Sequence, residues 1–161
     1  MKQLILVRHG KSDWNHNVTD HQRPVKQRAY DDAKMVAHAF QNAVDIQFPI
    51  YSSTAKRAHT TAELLQEHLQ EQITELKTFD ELYTFNGEDL LDFIHHLPHD
   101  EEQVMLVSHN GGLTDLINRI SNATLDNLPT TGLALIKFYV DDWSQVDKGQ
   151  LILHLFPKNL R

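Results

Sequence analysis

Two runs of four residues, Leu4-Ile5-Leu6-Val7 and Val104-Met105-Leu106-Val107, contain no polar side chain. A short apolar run without alternation is the pattern of a strand buried on both faces, and such strands belong to parallel sheets covered by helices on either side. The rest of the chain alternates in the same sense. Residues 26–44 carry Ala29, Ala33, Val36, Phe40 and Val44 as a helical stripe behind Pro24. Residues 48–51 read as a strand, and Ser52-Ser53-Thr54 offer caps for a helix bearing Ala55, Ala58, Ala62, Leu65 and Leu69. Residues 73–79 form a weaker strand. Asn86-Gly87 opens a helix with Leu90, Leu91, Ile94 and Leu97, and Leu113, Leu116, Ile117 and Ile120 mark another. Residues 133–140 and 151–156 are two apolar runs joined by a loop alone, which predicts neighbouring antiparallel strands. The expected fold is α/β, a three-layer sandwich. Its sheet is mostly parallel with an antiparallel C-terminal strand, and helices lie on both faces. No repeat or linker divides residues 1–161, so one domain is expected.

A chain of 161 residues buries about 70% of its unfolded surface and supports a core without staples. Fifteen Lys and Arg against 22 Asp and Glu leave a net charge of −7. That disfavours a general nucleic-acid binder or an anionic membrane surface, so any anion site has to be local. The chain has no cysteine, which removes disulfides, thiol catalysis and cysteine-ligated metals. The apolar run before Arg8 is only four residues long, Leu4 to Val7, too short for a signal peptide or a membrane span, and a cytoplasmic monomer is expected. His95, His96 and His99 invite a metal reading, but Pro98 interrupts the helical spacing that would converge them, so no metal and no cofactor is expected.

The two fully apolar strands both end in histidine, as Val7-Arg8-His9-Gly10 and Val107-Ser108-His109-Asn110. Ligands of open α/β sheets sit at the carboxyl ends of the strands, which puts His9 and His109 on one edge. The strand ending near Ser53 leads into a helix whose first turn carries Arg57, and helix N-termini favour anions. Two arginines brought together there call for an anion, and the guanidinium fork matches phosphate oxygens. With no thiol and no Gly-rich phosphate loop carrying a lysine, histidine is the available phosphoryl acceptor.

Several segments together resemble the histidine phosphatase (phosphoglycerate mutase-like) superfamily, and within it the short SixA-like phosphohistidine phosphatases. They are Leu6-Val7-Arg8-His9-Gly10-Lys11-Ser12, Asp20-His21-Gln22-Arg23-Pro24-Val25, Ser52 to Glu63, Glu81-Leu82-Tyr83, Leu106 to Asn110 and Pro129 to Ala134. The resemblance implies that His9 attacks phosphorus and becomes a phosphohistidine. It implies that Arg8, Arg57 and His109 hold the three equatorial oxygens. It makes Arg23 and Asn15 further phosphate or substrate contacts, and Glu81 the candidate general acid. Gln22, Ala29 and Asn110 depart from residues frequent in relatives.

About twenty residues separate Glu81 from Val104, room for one helix and not for a lid. An open cleft suits a phosphorylated protein side chain, and a labile P–N bond lessens the need for an acid. The expected activity is therefore metal-independent hydrolysis of protein phosphohistidine. The alternatives are a small-molecule phosphomonoesterase or mutase on the same residues, and a non-catalytic phosphoprotein-binding module.

Overall fold

The computed structural model describes residues 1–161. Strands β1 (Lys2–Arg8), β2 (Phe48–Ser53), β3 (Ile73–Phe79), β4 (Gln103–Ser108), β5 (Leu133–Phe138) and β6 (Gln150–Leu155) form one sheet in the order β3-β2-β4-β1-β5-β6. Strands β1 to β4 are mutually parallel. β5 runs antiparallel to β1 and β6 antiparallel to β5, so β5 alone opposes the others. The mostly parallel sheet and its neighbouring antiparallel tail strands are as the sequence predicts.

Successive residues of β1 point to opposite faces, and each face meets its own helices. Leu4 and Leu6 join Leu90 and Ile94 of α3 (Gly87–His95) and Leu113, Leu116 and Ile117 of α4 (Gly112–Ile120). Ile5 and Val7 join Ala33, Val36 and Phe40 of α1 (Arg28–Ala43) and Ala58, Ala62 and Leu65 of α2 (Lys56–His68). The short α5 (Pro157–Leu160) lies beside α1. The absence of alternation in the apolar runs is thus a direct result of two covered faces.

Several element ends shift from the predicted bounds. α1 starts at Arg28, not 26, because the Lys26 N–H is tied to the Lys11 carbonyl at 2.7 Å. Ser52 and Ser53 complete β2, and the α2 cap position is taken by Ala55, whose N–H donates to Ser53 Oγ at 3.1 Å. β5 ends at Phe138, two residues short of the predicted run. Asn86 caps α3 as expected, its side chain accepting from the Glu88 N–H at 2.7 Å. No helix is long and apolar enough to cross a membrane.

Candidate active site

The parallel neighbours β2, β4 and β1 end together. Arg8 stands beside Ser108 in the ladder, and Ser52 beside Val107. The next residue of each strand or loop, His9, His109 and Ser53, therefore collects at one sheet edge. α2 follows β2 directly and sets Arg57 in its first turn over that edge, buried to 1% exposure. Gly10 is required by close approach: a Cβ there would stand 2.5 Å from the Ala29 Cβ of α1. Thr61, one turn after Arg57, ties the pieces together. Its hydroxyl accepts the Gly10 N–H at 2.8 Å and donates to the Arg57 carbonyl at 2.8 Å.

The two imidazoles lie with centroids 5.2 Å apart. His9 Nδ1 is 2.8 Å from the Gly10 carbonyl oxygen, which can only accept. The ring proton is thereby assigned to Nδ1, leaving the Nε2 lone pair free. That lone pair faces the Nε–H of Arg57 at 3.4 Å. His109 Nε2 is 2.8 Å from Ser53 Oγ, and its Nδ1 is buried without a partner. Because Ser53 Oγ accepts from Ala55, the fewest groups stay unpaired when its hydroxyl donates to Nε2. His109 then carries its proton on Nδ1, as a free donor. Burial, the Gly10 contact acting in opposition, and the charges of Arg57 and Arg8 bring the His9 pKa down to about 4. Burial, then His9 and Arg57, bring His109 down to about 3. Both rings are neutral near pH 7. Burial is a larger cause than the arginines for His9.

Asp20 organises the cations. Its backbone carbonyl accepts from Arg57 Nη1 at 2.7 Å, and its carboxylate accepts from Arg57 Nη2 at 3.0 Å, Arg23 Nη1 at 2.7 Å and the Tyr83 hydroxyl at 2.5 Å. Burial raises the Asp20 carboxyl, but hydrogen bonds from Tyr83, Arg57 and Arg23 outweigh it and hold the group far below the usual carboxylate range. Arg23 stacks over exposed Trp14 at 3.6 Å from the ring centroid. Arg8 donates to the Leu128 carbonyl at 3.0 Å, and the Nε atoms of Arg8 and Arg23 are buried with no partner. Arg23 and Arg57 share the Asp20 carboxylate while Arg8 bonds only a carbonyl, so 3 − 1 leaves two positive charges beside neutral imidazoles. Unpaired buried donors and surplus positive charge suit a tetrahedral oxyanion.

The sequence profile of the histidine phosphatase superfamily (branch 1) matches residues 4–90. The chain belongs to this superfamily. It is similar in structure to the protein histidine phosphatase SixA complexed with tungstate, at 20% identity over 99% of each chain with a TM-score of 0.82. It is similar to SixA from Agrobacterium tumefaciens at 26% identity, over 97% of this chain and 98% of the other, with a TM-score of 0.78. A mycobacterial glucosyl-3-phosphoglycerate phosphatase shares the fold at 13% identity, over 95% and 98% of the two chains, with a TM-score of 0.67. No protein with a curated description matches the sequence significantly.

On this histidine phosphatase fold, Arg8, His9, Arg57 and His109 come together, and Arg23 joins them through Asp20. Asn15 does not: it is exposed on the loop after β1, and its backbone N–H donates to Asp13 Oδ1. Glu81 also stands apart. The single turn Asp80–Leu82 drives Leu82 into the core and turns Glu81 outward, with no hydrogen bond to the four residues. His95, His96 and His99 diverge to Val146, Asp92 and Asp142. Sequence reasoning missed Asp20, Ser53, Thr61 and Tyr83 as site residues. All four lie inside segments that carry the family resemblance, Asp20 three positions before Arg23 in the same motif.

Proposed function

We propose that this chain is a metal-independent phosphatase that hydrolyses protein phosphohistidine through a phosphohistidine formed on His9. The observation that carries this reading is the state of His9: neutral, with its proton pinned on Nδ1 by the Gly10 carbonyl and its Nε2 lone pair directed at the arginines. In the first step Nε2 attacks phosphorus, and the bond from phosphorus to the substrate imidazole breaks. The electron pair leaves on that imidazole, which departs as a neutral molecule once its other nitrogen is protonated. A leaving group of this kind makes little demand on an acid, consistent with the outward position of Glu81. Arg8, Arg57 and the Nδ1–H of His109 hold the equatorial oxygens while their charge redistributes. In the second step water attacks the phosphorus on His9 and returns the free imidazole and inorganic phosphate.

The connection from β3 to β4 contains only a single turn and α3, which leaves the cleft open and favours a protein side chain over an enclosed small diphosphate. The test uses a ³²P-phosphohistidine peptide with quenching in alkali. The expected result is acid-labile label on His9, unaffected by a strong chelator, and a higher kcat/KM for the peptide than for 2- or 3-phosphoglycerate. Label on serine, or full turnover by His9→Ala, rejects the nucleophile. Phosphoglycerate isomerisation faster than peptide hydrolysis rejects the substrate class.

A further inference from the structure

Tyr83 has a second side. One edge of its ring approaches His109, with centroids 5.4 Å apart, and its hydroxyl holds Asp20. It also lines a cavity of about 800 Å³ that contains none of Arg8, His9, Arg57 or His109. Tyr51, Phe79 and Phe93 line this cavity as an aromatic triad, packed edge to face at 5.2, 6.4 and 5.2 Å. Tyr51 is only 5% exposed, and its hydroxyl has no hydrogen-bond partner in the protein.

Four carboxylates, Asp80, Glu81, Asp89 and Asp92, stand around the triad. Thr54 and Thr84 hydroxyls fix Asp80 and Asp89 at 2.9 and 2.7 Å. The wall's one lysine, Lys77, already faces Glu75 at 3.4 Å. Aromatic faces beside carboxylates desolvate an aliphatic stem and attract its cationic head; they do nothing for an anion. The sheet edge on one side of Tyr83 thus presents surplus positive charge, and the cavity on the other side surplus negative charge.

We infer that this cavity is a specificity site that receives a lysine or arginine side chain of the phosphoprotein substrate, close to its phosphohistidine. The inference rests on the protein-phosphohistidine reading above and adds the charge of the neighbouring residue. Only one tyrosine separates the two sites, a span an extended chain covers in about two to four residues.

The experiment compares phosphohistidine peptides that differ only in carrying arginine or glutamate at those positions, with free phosphohistidine as the small probe. Wild-type enzyme should favour the arginine peptide through KM. Asp92→Lys should weaken that peptide about fivefold, as expected for losing an exposed ion pair, and leave free phosphohistidine unchanged. Phe93→Leu should weaken the same peptide with the carboxylates intact. Equal KM for the two peptides, or an Asp92→Lys loss shared by free phosphohistidine, overturns the inference. Fluorescence anisotropy with the unphosphorylated arginine peptide separates the two readings. If no peptide is hydrolysed, Asp92-dependent binding of this probe still supports the basic-segment site while the substrate reading fails. Absence of such binding sinks the site itself.

Discussion

The two sides of Tyr83 differ in more than the sign of their charge. On the cationic side, Arg57 is buried and held by backbone and carboxylate together, and both histidines are fixed by main-chain or serine contacts. On the anionic side, the carboxylates sit on the exposed turn after β3 and on α3, where water screens them. A charge fixed in low dielectric acts at nearly full strength, while one at the surface is attenuated. The buried side should therefore govern the chemical step and the exposed side selectivity.

The sharpest break of this contrast is Arg57→Lys. An ammonium cannot reach both Asp20 and the neighbourhood of His9 Nε2, so kcat should fall about 10²–10³-fold, as for loss of an oxyanion donor. Steady-state kinetics on the phosphohistidine peptide checks it, and a loss confined to KM would place Arg57 among the selectivity residues.

Acid gives the next effect. Above pH 6.5 His9 is neutral in folded and unfolded chains alike. Between 6.5 and about 4 only the unfolded chain takes the proton, so stability falls as the pH falls; below 4 both states are protonated and the loss levels off. The total is about 3 kcal/mol for this one group at 1.36 kcal/mol per pH unit. Urea titrations from pH 7 to 4 should show it, and His9→Gln should reduce the slope to the share left by His109. Over the same range kcat/KM should hold to about pH 5 and then decline as Nε2 is protonated.

Arg23→Ala comes third. It removes the stack on Trp14 and the pair with Asp20, and should reduce kcat/KM by about 1–3 kcal/mol. The smallest change is Tyr83→Phe, which deletes one hydroxyl from Asp20 at the wall between the two sites. It should lower kcat about fivefold, the equivalent of one hydrogen bond of about 1 kcal/mol. If Tyr83→Phe matches Arg57→Lys, the division between a buried chemical side and an exposed selective side fails.

The cationic side was legible in the sequence because its residues follow directly from strands with an unmistakable pattern. Once Leu4–Val7 and Val104–Val107 are parallel strands, His9 and His109 have only one edge to occupy. Asp20 and Tyr83 lie 63 positions apart, and their contact depends on the path of the loop after β1. No local pattern encodes that path. Glu81 shows a different limit. Its place before Leu82 and Tyr83 is visible, but whether it faces the histidines depends on a turn that buries Leu82. The aromatic triad was equally hidden, since Tyr51, Phe79 and Phe93 come from β2, β3 and α3.

The position of β1 in the sheet also bears on the biogenesis of the molecule. Leu4 pairs with Val104 on one side and Ile136 on the other. One edge of the strand that presents His9 stays open until β4 has been synthesised, and the other until β5 has. At about 5–20 residues per second that second edge stays open for roughly 7–26 s of synthesis. Such long-range pairing slows folding and leaves the amino-terminal segment open to chaperones and to wrong partners. It also means that no nascent fragment ending before β5 can complete the sheet around His9, so a half-made chain lacks the finished pocket of histidines and arginines.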